Sequence, residues 1–125
     1  MPWIKSLLST REKGQTTEQL ALTHLQSSGL KLIEQNKHFK CGELDLVCKD
    51  GDCYVFVEVK YRKSNQYGGA ATAVSASKQQ KVKNSASLYL QQLGLNEYNT
   101  PCRFDVVALE GDLAQPQITW LKNAF

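Results

Sequence analysis

Asp45, Glu58 and Lys60 are the side chains in this sequence whose types and spacing could do chemistry together. Two converging carboxylates can share a hard divalent cation such as Mg²⁺, which prefers carboxylate oxygens and retained waters. Lys60, two residues beyond Glu58, would stand beside that cation, near any bound water or phosphate. Convergence depends on residues 42–60, GELDLVCKDGDCYVFVEVK. Two apolar-rich runs, 43–49 and 52–60, flank Asp50-Gly51, a dipeptide that tolerates the positive φ values of a tight hairpin turn. With Asp50-Gly51 as a two-residue loop, Glu43 is predicted opposite Glu58, and Asp45 opposite Phe56. Alternation along each strand then sends Glu43, Asp45, Glu58 and Lys60 to one face, and Leu44, Leu46, Val55, Val57 and Val59 to the other. Asp45 and Glu58 become diagonal neighbours, within reach of one cation. A three-residue loop would flip one strand and separate them.

Like charges facing one another destabilise a sheet unless something neutralises them. A divalent ion would do so. The ordinary alternative is a solvated sheet face on which Lys60 simply pairs with the acids.

The elements that must position this hairpin follow from the rest of the chain. At 125 residues it is long enough to bury a core as one domain. A hydrophobic share of 42% and a charged share of 22% are ordinary for a globular protein. The net charge of +3 is unevenly placed, since residues 59–96 hold six basic side chains (Lys60, Arg62, Lys63, Lys78, Lys81, Lys83) and no acid. A positive surface beside a carboxylate site suits a polyanion, and a plain solvated basic face is the alternative. Cys41, Cys48, Cys53 and Cys102 form no C-x-x-C pair and have no histidine at metal-ligand spacing, which argues against zinc. The expected register sets Cys48 opposite Cys53, in reach of a cross-strand disulfide. Trp3-Ile4 and Leu7-Leu8 are too short to form a secretory h-region, so the cysteines read as reduced thiols in a cytoplasmic protein. No segment has the length to cross a membrane.

Residues 1–13 lack a clear period and read as a leader, partly ordered, ahead of a single domain at 14–125. Thr16 with Gln19 forms a capping box and Gly29 a stop, so residues 17–28 are predicted helical, with Leu20, Ala21, His24 and Leu25 inward. Glu18 would then sit in the first turn, where the helix dipole favours a carboxylate. Residues 30–39 read as a poorly alternating strand. Residues 63–74, with Tyr67-Gly68-Gly69 at their centre, read as a loop that either hangs over the site as a flap or merely connects. Ser77 with Gln80 opens a second helix that Gly94 closes, with Val82, Ala86, Tyr89, Leu90 and Leu93 on one stripe. Lys78 would lie at its N-terminal end, where backbone amides favour anions. Residues 103–109 read as a buried strand lying parallel to 53–60 by a right-handed crossover, and 117–121 as a short final strand. The order α-β-β-β-α-β-β predicts an α/β domain with a mixed sheet flanked by helices.

With Asp45 and Glu58-Val59-Lys60 on that frame, the chain resembles the PD-(D/E)xK nuclease superfamily, with its restriction-endonuclease-like fold. More closely, it is similar to the small bacterial YraN-type family, related in fold to Holliday-junction resolvases. The resemblance runs from about Lys13 onward, through residues 42–47, 55–60, 67–70, Lys78, 103–107 and the closing Asn123-Ala124-Phe125. It implies that Asp45 and Glu58 are metal ligands, that the Val59 carbonyl adds a third, and that Glu18 completes the shell. It implies that Lys60 orients or deprotonates the attacking water and stabilises the charged transition state. Leu44 stands where the superfamily pattern has proline.

The function these readings predict is metal-dependent hydrolysis of phosphodiester bonds, with Mg²⁺ or Mn²⁺, on nucleic acid, DNA before RNA and branched DNA among its forms. Lys78, Lys81, Lys83 and the loop residues Tyr67 and Gly68 would hold the backbone without reading bases. The alternative is a nucleic-acid-binding module that keeps the fold and the acids but does not cleave. A purely structural or protein-binding domain is disfavoured by the asymmetric charge. A homodimer is expected only by analogy with junction resolvases, which work in pairs.

Overall fold

The elements follow in the predicted order: α1 (Thr10–Ser27), β1 (Lys31–Phe39), β2 (Gly42–Asp50), β3 (Cys53–Arg62), α2 (Ala76–Gln92), β4 (Cys102–Glu110) and β5 (Gln117–Leu121). This computed structural model describes residues 10–63 and 74–125, with side chains from residue 14. The expectations for Tyr67, Gly68 and most of the 63–74 loop lie outside the described residues.

The strands form one sheet in the order β1-β2-β3-β4-β5. β3 and β4 are parallel, as the long helical connection requires, and every other neighbouring pair is antiparallel. One helix covers each face. Ala21, Leu22 and Leu25 of α1 pack on Leu46, Cys48, Val55, Val57, Val107 and Leu109. Val82, Ala86, Tyr89 and Leu90 of α2 pack on Leu44, Val47 and Phe56. Leu25 has no exposed surface, so Leu25→Ala would cost about 2–5 kcal/mol.

Both helix starts differ from expectation. Helix α1 begins at Thr10, so the Thr16/Gln19 pair lies within it; Thr17 Oγ1 donates to the Gly14 carbonyl at 2.8 Å, one turn back. Glu18 is therefore mid-helix, and the dipole account of its charge falls. Gly29 closes α1 as expected, at φ 97°, with Leu30 N donating to Leu25 O at 3.2 Å. The cap of α2 is Ser75, whose hydroxyl accepts from Lys78 N at 3.1 Å, rather than Ser77. Leu93, placed on the buried stripe by its spacing, lies beyond the last turn and is largely exposed.

The hairpin is corrected by one step in each strand. Asp50 pairs with Cys53, Cys48 with Val55 and Leu46 with Val57. The two loop residues are thus Gly51 and Asp52. Gly51 has φ 60° and Asp52 is not among the positive-φ residues, the pattern of a II′ turn with glycine in its first position. A shift of two in the pairing sum preserves the alternation, so β3 keeps its expected faces. It does separate Cys48 from Cys53, and all four cysteines are free.

Alternation fails at one place in β2. Leu46 packs on the α1 side but Leu44 packs on the α2 side, contrary to the expectation that both share a face. The β2–β3 pairing ends at Leu46–Val57, and β2 is free to turn there. Glu43 accordingly does not face Glu58; it pairs with His38 of β1.

Candidate functional site

The interruption in β2 creates the site. Where a backbone group of β2 would have continued the ladder, the Asp45 side chain stands instead, its Oδ2 accepting from Val59 N at 3.0 Å. Asp45 is thereby held in the gap between two strands. In a strand, a residue's N–H and C=O share one side, so the Val59 carbonyl faces the same gap.

Glu58 occupies the other side of that gap. It follows the apolar run Val55-Phe56-Val57 on a central strand, and the residue is 1% exposed. Its carboxyl meets that of Asp45 closely enough to share a hydrogen bond when one of them carries a proton. Lys78 Nζ, from the first turn of α2, lies 3.9 Å from Glu58 Oε2. Glu58 Oε1 is buried and has no hydrogen-bond partner. Burial first, and the Asp45 charge second, push the Glu58 carboxyl up to about 8, partly opposed by Lys78 and Lys60.

An acid in this condition suits a hard cation. Two carboxylates and a carbonyl offer oxygen donors in one gap, and the unpartnered Oε1 is an acceptor that a metal would satisfy. Lys60 lies on the Glu58 side of β3 by alternation, half-buried, and near enough to stabilise the Glu58 anion.

Glu18 is separate from the pair. It shares a cavity of about 460 Å³ with Gly14, Gln15, Asn36, His38 and Glu43, and it hydrogen-bonds Asn36. Its pKa is raised, by burial first and then by Asp45 and Glu43, with the Asn36 bond opposing. Among the described residues, no three His, Cys, Asp or Glu side chains are arranged to hold one metal. The carboxylate pair Asp45–Glu58 is thus brought together, and Glu18 is a third charge nearby.

The predicted phosphate-binding lysines divide. Lys78 points into the carboxylate gap. Lys83 lies 6.0 Å and 5.9 Å from the ring centres of Phe104 and Phe125. Lys81 is exposed. Its Cβ also marks where β2 meets α2: a Cβ at Gly42 would stand 3.3 Å from it and 3.2 Å from Ser85 Oγ, so glycine at 42 serves close approach.

Sequence reasoning missed Lys78 as the partner of Glu58, because nothing local reports which way a helix-borne lysine points. It also missed Asn36, whose φ of 52° gives it away only in the folded chain, and the His38–Glu43 contact at 3.8 Å.

The model of the family described as "Uncharacterised protein family UPF0102" matches residues 17–109. A UPF0102 protein of Colwellia psychrerythraea strain 34H is 64% identical over 117 residues, covering 94% of this chain and 91% of its own. One from Pseudomonas fluorescens strain Pf0-1 is 50% identical over 114 residues, 91% of this chain and 92% of its own. One from Yersinia pestis strain Angola is 43% identical over 118 residues, 94% and 97% respectively. No helix among the described residues is long and apolar enough to cross a membrane.

Proposed function

The chain belongs to the uncharacterised protein family UPF0102, the YraN-type group, and we propose that it is a metal-dependent nuclease hydrolysing phosphodiester bonds of DNA, branched forms included. The observation that carries this reading is the buried Glu58 carboxyl, set against Asp45 with Oε1 unpartnered. A folded protein rarely leaves a buried acid so poorly matched unless the mismatch is used.

Asp45 and Glu58 would hold Mg²⁺ or Mn²⁺, with the Val59 carbonyl as a further donor. Bound there, the ion would lower the pKa of a water and neutralise charge on the scissile phosphate. Val59 N fixes the Asp45 carboxylate, so this donor is oriented before anything binds. Lys60 would hold the attacking water and stabilise the charge that develops on the phosphoryl oxygens. The reading puts the protein in the cytoplasm with nucleic acid as its partner. One observation favours the non-cleaving alternative: Lys78 and Lys60 already offset part of the Glu58 charge without a metal.

Asp45→Asn separates the two. Asparagine can still accept from Val59 N, yet lacks the charge that holds a divalent ion. In a nuclease it should abolish cleavage of branched or flapped DNA in Mg²⁺ or Mn²⁺, by at least about 10³-fold, a loss of about 4 kcal/mol of transition-state stabilisation. It should also remove most of the metal-induced rise in melting temperature that ligand binding to the folded state gives wild type. Lys60→Ala should keep that rise and lose turnover. Wild type that binds nucleic acid but neither cleaves any form nor melts higher with metal would leave only the binding module.

A further inference from the structure

The lysine that meets Glu58 approaches the same carboxylate that a metal would use. Lys78 Nζ is 3.9 Å from an oxygen of a side chain that is 2% exposed, while the Lys78 side chain itself is 37% exposed. It therefore reaches from solvent into the gap and can withdraw without unpacking α2. Its backbone stays fixed at the helix start, since Lys78 N donates to the Ser75 hydroxyl at 3.1 Å.

The charges around the gap limit what can be present at once. With both carboxylates ionised, as a divalent ion requires, Asp45 and Glu58 balance Lys60 and Lys78. Against these four side chains a divalent ion leaves two positive charges in excess at close range, which the nearby Glu18 offsets only in part. A phosphodiester and a hydroxide each bring one negative charge. An ammonium pressed on Glu58 beside a metal is repelled in a site of low dielectric, whereas the same ammonium on a phosphate is attracted. A lysine is a compact charge on a flexible stem, suited to such an exchange.

The geometry points to Lys78 as the residue that couples metal binding to backbone binding: it stands 3.9 Å from Glu58 in the metal-free protein, is displaced by the ion, and then clamps a phosphate next to the scissile one. This rests on the metal-dependent reading above. Lys78 is a positioning and phosphate-binding residue here, distinct from Lys60, which faces the reacting atoms. The consequence is order: metal first makes the protein a tighter binder of nucleic acid, and nucleic acid in return tightens the metal.

Two measurements that need no cleavage test this, on full-length wild type, Lys78→Met and Lys78→Arg with Ca²⁺ as a probe ion. In calorimetric titration without nucleic acid, Lys78→Met should bind Ca²⁺ about fivefold tighter or more, the usual scale of a coupling between sites. Binding to one branched DNA is then followed against salt with and without Ca²⁺. Wild type should gain about one phosphate contact with the ion, a steepening of about 0.9 in the log–log slope relative to Lys78→Met. Lys78→Arg should retain the gain. Equal Ca²⁺ affinity in wild type and Lys78→Met overturns the proposal, as does tighter Ca²⁺ binding with the same salt step in both. Should no variant or wild type bind Ca²⁺ at all, the metal-dependent reading and the exchange fail together. Ca²⁺ coupling in a protein that never cleaves leaves the exchange standing and removes the nuclease.

Discussion

Asp105 and Glu58 are both acids on neighbouring central strands with almost no exposed surface, and the protein treats them in opposite ways. Asp105 collects donors. Its Oδ1 accepts from Arg103 Nε at 3.1 Å and Asn123 N at 2.9 Å, and its Oδ2 from Arg103 Nε at 3.2 Å and Trp120 Nε1 at 2.9 Å. Arg103 in turn reaches Asp50 at 3.0 Å, leaving one buried nitrogen, Nη2, without a partner. Glu58 has a lysine at 3.9 Å, a second carboxylate beside it, and an oxygen with nothing. The first acid ties β4, β5 and the chain end together. The second is destabilised in the metal-free state, and relief must come from a proton or a cation.

Breaking the satisfied acid gives the larger loss of stability. Asp105→Asn removes the charge facing Arg103 and turns one acceptor into a donor among donors. The expected cost is about 3–5 kcal/mol, read by urea denaturation. The molecules that remain folded should still show the metal-induced rise in melting temperature, because Asp105 is bonded to Arg103, Trp120 and Asn123 and not to the Asp45–Glu58 pair. Loss of that rise with stability intact would make Asp105 part of the metal site and dissolve the contrast.

Removing the unsatisfied acid should do the reverse. The folded-state pKa of Glu58 lies near 8 against an ordinary 4.5. For an acid with a raised pKa, folding is favoured by the protonated form, so this stability is present below about pH 4.5 and is lost as pH rises through 8. Metal-free wild type should therefore weaken between pH 5 and pH 9. Glu58→Gln cannot ionise, so this contribution to the pH profile should vanish. At pH 9 the variant should be more stable than wild type by at least about 1.4 kcal/mol, the value of one pKa unit. Metal should erase the advantage, since it stabilises the ionised wild type and not the glutamine. A glutamine variant less stable than wild type at pH 9 would mean that Lys78 alone already satisfies Glu58.

The sequence exposed the satisfied and unsatisfied acids unequally. Asp45 and Glu58 stood out because acids are costly within apolar strands, but the alternation expected to join them does not hold: the β2–β3 ladder ends at Leu46, and Asp45 reaches the site by accepting from Val59 N. The parallel pairing of β3 with β4 followed from the length of the connection between them. The turn was misplaced by one residue because Asp50-Gly51 and Gly51-Asp52 both suit two-residue loops, and only the choice of II′ over I′ decides between them. Leu44 changed faces because β2 leaves β3 beyond Leu46, an event set by α2 packing on Gly42 and by Asp45 taking the Val59 amide. The Asp105 network joins residues 103, 105, 120 and 123 with Asp50 across the fold, and the Lys78–Glu58 contact joins a helix to a strand twenty residues away. Neither leaves a trace in spacing.

The same contrast between charges that serve the fold and charges left for a partner extends to the basic side of α2, where the expected effects are smallest. Lys83 lies against Phe104 and Phe125, which stack on one another with centres 5.3 Å apart. Lys83→Gln should cost about 0.5–1 kcal/mol through the lost cation–π contact, measured by urea denaturation. Lys81 is exposed, and Lys81→Gln should leave stability within about 0.5 kcal/mol of wild type. Its effect should appear only on nucleic acid, as a salt dependence shallower by up to about 0.9 in log–log slope and a weakening that is the same for all sequences. If Lys83→Gln instead flattens the salt dependence while Lys81→Gln does nothing, the phosphate track runs over the Phe104–Phe125 side of the helix. The ammonium on those rings would then be held in position for a partner rather than for the core.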